Sequence, residues 1–289
     1  MTLSVVIITY NEEANLARTL ESVKTLVADG KGEIIVVDSG STDGTVEIAK
    51  SFGAKVFIEE WKGFAAQKNS AIDKATGDWI LSLDADEETS ADLTAEIAEL
   101  LTLQVGKLLY KVSVQGAWDA WIERRPDLIV TYEDEREGPL VGAEIPRKNH
   151  FMGRWMRRGG FYPDRKLRFF KRGSAAFENR RVHEDVHSDG FTVALQGTLI
   201  HHSYPTLSDY IEHMNRYSSL AAEMVVAKGK VRFAVINIVA RPLLTFIYNY
   251  FFRLGFLDGR EGLLLHLYHA VYVSWKYAKA WELSRKQTG

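Results

Sequence analysis

Hydrophobic positions in the first hundred residues alternate between two patterns. Short runs rich in apolar and β-branched residues are each followed by a stretch with apolar positions at helical spacing. The runs are SVVIITY, EIIVVD, AKVFIE and DWILSLD, and the helical stretches are ANLARTLESVKTL, DGTVEIAKSF, AAQKNSAIDKA and SADLTAEIAELL. This alternation predicts an α/β fold, with a mainly parallel sheet and crossover helices. Because VVII and IIVV are wholly apolar, we expect the central strands to be buried on both faces.

The pattern changes twice further along the chain. Residues 115–141 are polar and charged and are expected to form an insertion on the surface. Residues 142–202 resemble further strands, and from Ser208 onward the spacing of apolar residues is helical. The sequence therefore predicts an α/β domain over 1–205, followed by a helical region over 206–289.

The C-terminal region raises the question of a membrane. Its longest uncharged runs are 11 residues (Pro242–Phe252) and 14 residues (Gly262–Trp275), whereas a spanning helix needs about 20. We therefore expect no spanning helix. Aromatic residues mixed with Arg and Lys suit helices that lie in a membrane interface, and equally suit helices packed on the catalytic domain. The pattern leaves both alternatives open.

Composition and charge narrow the class of protein. The chain contains no cysteine, which excludes disulfides and thiolate metal sites. The apolar run LSVVIITY follows the first residues without a basic region, so no export signal is expected. The net charge of −2 conceals segments of −11 over 1–104, +2 over 105–227 and +7 over 228–289. Such different segments are expected to meet different partners.

Carboxylates follow three of the predicted strands, whose ends read TYNE, DSGSTDGT and DADEE. Asp84 and Asp86 form a D-x-D after WILSL, and they point the same way if the strand geometry persists. Carboxylates suit a hard divalent cation such as Mg²⁺, which typically also binds substrate phosphates. A pair of loop aspartates that cap the next helix is the alternative. Asp38 also ends a buried strand, whereas Asp43 is expected to be a helix N-cap.

These motifs together resemble a known family. VVIITYNEEANL, VVDSGSTDGT and QKNSAIDKATGDWILSLDADEE are similar to the nucleotide-sugar domain of family 2 glycosyltransferases, which have the GT-A fold. The resemblance continues through YPDRKLRFFKRG, VHEDVH, HHSYPTLSDYIEHMNRYS and GFLDGREG. This later set is similar to the subgroup that adds glucose to the inner-core heptose of lipopolysaccharide. The resemblance implies transfer from a nucleotide sugar, UDP-glucose, to a lipid-linked or lipopolysaccharide-core acceptor.

The resemblance also implies roles for individual residues. The nucleotide pocket would be lined by Thr9, Tyr10, Glu12 and Asp38, with Ser39 where many relatives have a second aspartate. The donor would be faced by Gln67, Lys68, Asn69 and Asp84, and Asp86 would bind Mg²⁺ or Mn²⁺. The acceptor and the +7 segment imply peripheral attachment to the inner face of the cytoplasmic membrane.

An inverting transferase needs a carboxylate that takes a proton from the acceptor hydroxyl. In the family this base lies late in the domain, which in this chain is VHEDVH. Glu184 is the expected base and Asp185 is the alternative, because neighbouring residues of an extended segment point to opposite faces. The same six residues contain H-E-x-x-H, a zinc-protease motif that requires a helix. SDG follows directly and disfavours a helix there.

A binding module is the other alternative class. Residues 154–172 contain 8 Arg and Lys against a single Asp, a composition that could neutralise the phosphates of a nucleic acid or lipid. Trp155 lies in this segment and could stack on a sugar. Binding alone leaves the carboxylates at three strand ends unexplained, so no nucleic-acid partner is expected. His201 and His202 are expected to be structural.

Overall fold

The computed structural model describes residues 1–102, 140–178, 186–188, 190–229, 231 and 233–286. Within these residues the strands are β1 (Leu3–Thr9), β2 (Gly32–Asp38), β3 (Lys55–Ile58), β4 (Trp79–Asp84), β5 (Glu87–Thr89), β6 (Leu140–Phe151), β7 (Arg154–Trp155), β8 (Asp164–Lys171), β9 (Ala175–Phe177), β10 (Val186–Ser188), β11 (Phe191–Ala194) and β12 (Leu199–Tyr204). The α-helices are α1 (Leu16–Val27), α2 (Thr45–Ser51), α3 (Phe64–Asp73), α4 (Ala91–Thr102), α5 (Leu207–Ala227), α6 (Arg241–Ile247) and α7 (Gly259–Lys286). The alternating strands and helices predicted for the first hundred residues are confirmed.

The chain forms two compact units. The first contains 1–102, 140–147, 165–178 and the described part of 186–201, and the second contains 148–164 and the described part of 202–286. Leu140 and Val141, at the end of the predicted insertion, belong to β6, and residues 115–139 lie outside the described residues. The predicted domain boundary after residue 205 stays a prediction.

A mixed sheet organises the first unit. Its strand order is β3-β2-β1-β4-β8-β6-β12-β5. The four strands β3, β2, β1 and β4 are parallel, whereas β8 pairs antiparallel to β4, and β12 antiparallel to β5. The predicted α/β fold class, with C-terminal helices after the sheet, is confirmed.

The central strands are buried on both faces, as their apolar runs predict. Successive side chains of a strand point to opposite faces. On β1, Val5 and Ile7 pack in a core cluster with residues of α1 and α4, whereas Val6 packs in a second cluster with residues of α3. The sheet therefore lies between two helical layers.

Helix α1 shows how the sequence pattern produces this packing. Leu16, Leu20 and Val23 are spaced four and three residues apart, so they form one face of the helix. All three are fully buried in the first core cluster. The helix ends at Val27, and the chain turns back through Asp29 and Gly30, which both adopt positive φ.

The D-x-D segment is not one continuous strand. Strand β4 ends at Asp84, Ala85 and Asp86 form a turn, and β5 begins at Glu87. The condition that the strand geometry persists through Asp86 is therefore not met. The two aspartates have different neighbours as a result.

The second unit has its own small core, in which Phe151, Met156, Tyr210 and Leu265 are buried together. Helix α5 begins at a capping box, in which Thr206 and Asp209 each accept a hydrogen bond from the other's backbone N–H. The structure contains no helix, within its described residues, that is both long and apolar enough to traverse a bilayer.

Candidate active site

The carboxyl ends of three parallel strands bring the predicted nucleotide and metal residues to one edge of the sheet. Thr9 at the end of β1 is paired in register with Asp38 of β2, and Ile8 is paired with Asp84 of β4. Ligands of open α/β sheets bind at this edge. Asp38 and Asp84 therefore lie at the same edge of the sheet, and their predicted roles in binding stay predictions.

Asp38 holds the loop after β2. Its buried carboxylate accepts hydrogen bonds from Thr9 Oγ1 (2.8 Å), from Ser41 Oγ (2.5 Å) and from the backbone N–H groups of Gly40 (2.9 Å) and Ser41 (2.8 Å). Four donors occupy both oxygens, so the loop 39–41 is fixed by this one side chain. The role of Asp38 beside the base or ribose stays a prediction.

A second set of hydrogen bonds joins the loop after β1 to the same segment. Asn11 has a positive φ of 54°, and its amide oxygen accepts from Thr42 N at 2.8 Å. Asp43 accepts from the backbone N–H groups of Glu13 and Thr45. The N-cap of α2 is Gly44, so the expectation that Asp43 is the N-cap is wrong by one residue. Between these anchored loops Tyr10 is 59% exposed and presents its ring to solvent.

Asp84 is surrounded by cations. Lys68 Nζ lies 2.7 Å from Asp84 Oδ1, and Arg168 Nη2 lies 2.6 Å from Asp84 Oδ2. Arg168 also contacts the fully buried Glu87 at 3.5 Å, which is held by Arg147 at 3.0 Å. Burial alone would raise the pKa of Asp84, but the charges of Arg168 and Lys68 hold that pKa well below its usual range. Asp84 is therefore an anion in a fixed position.

Asp86 has a different environment. His201 Nε2 lies 3.3 Å from Asp86 Oδ2, and the two side chains are 17% and 24% exposed. Burial acts to raise the pKa of Asp86, but the contact with His201 outweighs it and the pKa is lowered. Glu12 is affected by the charges of the same carboxylates. Burial and the charges of Asp86, Asp43 and Asp84 raise its pKa despite a hydrogen bond from Asn15.

The residues of α3 divide between two environments. Lys68 contacts Asp84, as described, and Gln67 is fully buried with its Nε2 lacking a hydrogen-bond partner in the described part of the chain. Asn69 instead bonds the backbone of Phe177, donating to its oxygen and accepting from its nitrogen, both at 2.9 Å. Asn69 therefore ties α3 to β9, and its contact with the donor stays a prediction.

The predicted bases, Glu184 and Asp185, lie outside the described residues. His187 lies in β10, which pairs antiparallel with β9. The zinc-protease motif requires both histidines on one face of a helix, so this strand contradicts that alternative.

The basic segment 154–172 is divided rather than a single solvated face. Arg154, Arg157 and Arg158 belong to the second unit, whereas Arg168 belongs to the first, where it is buried. Trp155 has the guanidinium of Arg157 4.2 Å from its ring centroid and the ammonium of Lys148 4.8 Å from it. These cations contact the ring on which a sugar was expected to stack.

Local sequence patterns do not identify three charged residues of this candidate site: Arg168, Glu87 and Arg147. Arg168 carries a recognisable signal, since an arginine inside the apolar run LRFF needs a buried acidic partner. Its partner is 84 residues away, and no local pattern identifies it. His201 was expected to be structural, yet it lies against the predicted metal ligand.

Comparisons with known proteins indicate the family of the chain. The family model described as Glycosyl transferase family 2 matches residues 4–105. The chain is 30% identical over 294 residues to an uncharacterised glycosyltransferase of Rickettsia typhi, covering 98% of this chain and 88% of the relative. It is 28% identical over 292 residues to the lipopolysaccharide core biosynthesis glycosyltransferase LpsC of Rhizobium meliloti, covering 97% and 92%.

Similarity to solved structures is more limited. TarS of S. aureus in complex with UDP covers all of this chain and 92% of its own, with a TM-score of 0.45 and 15% identity. Glucosyl-3-phosphoglycerate synthase of Mycobacterium tuberculosis in complex with Mn²⁺, UDP and phosphoglyceric acid gives a TM-score of 0.28 and 32% identity. That match covers 30% of this chain and 34% of the synthase.

The ion pairs of Arg168 predict a large effect on stability. We expect Arg168→Met to lower the free energy of unfolding by about 3–5 kcal/mol, because it removes a partner from the fully buried Glu87 and the partly buried Asp84. Arg154→Met is the matched control, since its contact with Glu261 is long (3.4 Å) and solvent-exposed. The Arg154→Met control should lower the free energy of unfolding by about 0–1 kcal/mol. Urea unfolding of both variants measures the difference, and equal losses would contradict the account.

Proposed function

Because the chain belongs to glycosyltransferase family 2, as its sequence resemblance predicts, we propose that it is an inverting enzyme that transfers glucose from UDP-glucose to a lipid-linked or lipopolysaccharide inner-core acceptor. The observation that carries the proposal is the position of Asp38 and Asp84 at the carboxyl ends of β2 and β4, with Asp86 in the turn that follows β4. The similarity to LpsC, named for lipopolysaccharide core biosynthesis, supports the class of acceptor. The choice of glucose rests on the subgroup resemblance.

We assign the nucleotide to the loops after β1 and β2. Thr9, Glu12 and Asp38 would line its pocket, and the exposed ring of Tyr10 is available to stack on the base. Asp84, held by Lys68, would accept a hydrogen bond from a ribose or sugar hydroxyl.

Gln67 supports a donor site on α3. A buried amide nitrogen without a partner costs free energy, and a bound ligand oxygen would remove that cost. The Nε2 of Gln67 is such a group within the described residues, whereas its Oε1 accepts from Lys62 N at 3.3 Å. We therefore place a polar group of the donor against this amide.

Asp86 and His201 fit a divalent cation. Their 3.3 Å separation suits two ligand atoms that share one ion. Asp84 fits less well, because both of its oxygens are engaged by cations. Within the described residues no three His, Asp or Glu side chains form a complete metal site, and such ions commonly take their other ligands from substrate phosphates. An imidazole ligand favours Mn²⁺ over Mg²⁺.

The proposed reaction is a single displacement. The carboxylate of Glu184 would take the proton of the acceptor hydroxyl while the hydroxyl oxygen attacks the anomeric carbon. The bond from that carbon to the diphosphate oxygen breaks, and the electron pair leaves with the nucleoside diphosphate. A bound divalent cation would stabilise the negative charge on that leaving group. Asp185 remains the alternative base.

The proposed acceptor determines where the enzyme acts. A lipid-linked acceptor lies at a membrane surface, so we propose peripheral attachment on the cytoplasmic face through the segment 228–289, whose charge is +7. Each basic residue near an anionic surface contributes about 1 kcal/mol. Nucleic acid is not part of the proposal.

A screen of nucleotide sugars tests the donor. We expect saturable binding of UDP-glucose, measured by calorimetry in the presence of Mn²⁺, and at least tenfold weaker binding of GDP- and dTDP-sugars. Binding of another UDP-sugar in preference to UDP-glucose would revise the sugar only. Failure of every nucleotide sugar to bind would contradict the proposed function.

If Asp86 and His201 bind the metal, substitution of His201 should weaken metal binding, whereas substitution of the adjacent His202 should not. Asp86→Ala should abolish metal-dependent turnover, and His201→Gln should raise the Mn²⁺ concentration needed for half-maximal activity at least tenfold, about 1.4 kcal/mol. His202→Gln is the control, because His202 stacks on His150 rather than contacting Asp86. Direct Mn²⁺ titration by electron paramagnetic resonance measures binding independently of activity. Full activity of Asp86→Ala in chelator-treated buffer would refute the assignment.

The identity of the base is tested by amide substitutions. Glu184→Gln should lower transfer to the acceptor by two to four orders of magnitude, the usual contribution of a general base, while donor binding is retained. Asp185→Asn should lose much less. Single-turnover transfer and donor calorimetry on both variants distinguish them, and a large loss restricted to Asp185→Asn would assign the base to Asp185.

A further inference from the structure

Exposed apolar side chains are concentrated in one part of the second unit. Twelve of the 21 large hydrophobic residues that are exposed in the described chain lie within 233–257. Nine of them form what we call the apolar strip: Phe233, Val235, Ile236, Val239, Leu243, Leu244, Tyr248, Phe251 and Phe252. The exposed fractions of Ile236 (67%) and Phe252 (76%) are far above those of packed residues. Apolar patches of this kind mark interaction surfaces.

The helix geometry keeps the strip on one side. Helix α6 continues directly from a π-helical segment (Ile236–Ala240) and into another (Tyr248–Phe252). In an α-helix of 3.6 residues per turn, residues four apart drift steadily around the axis. The wider π turns, with i→i+5 hydrogen bonds, drift the opposite way. The two segments therefore partly cancel the drift of α6.

The result is two parallel rows whose members lie four or eight residues apart. One row contains Val235, Val239, Leu243 and Phe251, and the other contains Ile236, Leu244, Tyr248 and Phe252. All eight side chains are exposed, while Pro242 on the same helix is buried. Such rows form a continuous apolar face rather than scattered surface residues.

The strip is held by α7, within the same unit. Ser274 Oγ donates to Ile238 O at 2.8 Å, and the side chain of Arg241 donates to Tyr277 Oη. Phe233 packs edge-to-face on Trp281 with ring centroids 4.9 Å apart. The backbone of a helix satisfies its own hydrogen bonds, so its apolar face can enter a hydrocarbon environment without exposing polar groups.

The charge of this segment indicates what covers the strip. Residues 228–257 contain five basic residues, Lys228, Lys230, Arg232, Arg241 and Arg253, and no acidic residue. A second copy docked on the same face would bring two copies of this basic segment together, which disfavours self-association. An anionic lipid surface is complementary to both the cations and the apolar rows.

We propose that the apolar strip is a membrane-docking surface that lies in the interface of an anionic bilayer, with its two rows toward the acyl chains. The continuous helix Ile236–Phe252 has 17 residues. It is at most about 25 Å long, less than the roughly 30 Å hydrocarbon core. It therefore lies along the surface. The strip would be the surface through which the enzyme attaches to the membrane. This inference rests on the proposed function only in that attachment would deliver the enzyme to a lipid-linked acceptor.

Vesicle co-sedimentation of the full chain tests the proposal. The wild type should bind vesicles of phosphatidylcholine with 30 mol% phosphatidylglycerol at least tenfold more tightly than phosphatidylcholine alone. Ile236→Glu combined with Phe252→Glu should weaken that binding at least tenfold, about 1.4 kcal/mol. Ile58→Glu is the matched control, since Ile58 has the same exposed fraction (68%) on β3 of the first unit, and it should bind vesicles like the wild type.

The possible results of these experiments distinguish the membrane-docking surface from the proposed catalytic function. The proposed membrane-docking surface would be overturned if the double variant bound vesicles as tightly as the wild type, or if the wild type did not bind anionic vesicles. A dimer that dissociates on Ile236→Glu with Phe252→Glu, detected by light scattering, would assign the strip to a second copy instead. Calorimetry with UDP-glucose, run on the same samples, separates the proposals. A double variant that binds UDP-glucose but no longer binds vesicles supports the membrane-docking surface. A wild type that binds vesicles but not UDP-glucose contradicts only the proposed catalytic function.

Discussion

The buried guanidinium of Arg168 determines how the active-site edge is assembled. Placed on β8, it contacts Asp84 at the end of β4 and Glu87 at the start of β5. Removing these charges from water is costly, so the arrangement is stable only while each charge keeps its partners. The ion pairs therefore fix both ends of the turn that carries Asp86. The site depends on a side chain that need not touch a substrate.

This arrangement gives the two aspartates of D-x-D different chemistry. Asp84 is ionised and its two oxygens are engaged by Lys68 and Arg168, so a metal would have to displace a cation that already neutralises it. Asp86 contacts His201, whose ring can exchange a hydrogen bond for a metal bond. Burial raises the pKa of Glu12 most, and the negative charges of Asp86, Asp43 and Asp84, which the hydrogen bond from Asn15 only partly balances, raise it further. A divalent cation would complete that balance.

Local patterns predicted the elements and the location of the site, but not its contacts. Runs such as VVII predict strands because the order of apolar residues can be recognised within a few neighbouring positions. The end of such a run then predicts the end of the strand. Asp84 and Asp86 were expected to share a face, and the turn at Ala85 separated them. Contacts such as Asp84 with Arg168 and Asp86 with His201 join residues far apart in sequence, and depend on the order in which strands enter the sheet. The rows of the apolar strip depend on π turns, which apolar spacing does not reveal.

In the proposed membrane attachment, charge and apolar area would contribute over different ranges of distance. An anionic surface attracts the +7 segment 228–289 and repels the −11 segment 1–104, which favours attachment through the C-terminal region. At physiological ionic strength the attraction decays within about 8 Å, so only basic residues close to the lipid contribute. Burial of Leu244 or Phe252 in the interface is not screened by salt. In the proposed attachment, the cations would therefore govern the first approach and the choice of an anionic surface, whereas the apolar rows would hold the protein there when salt is raised.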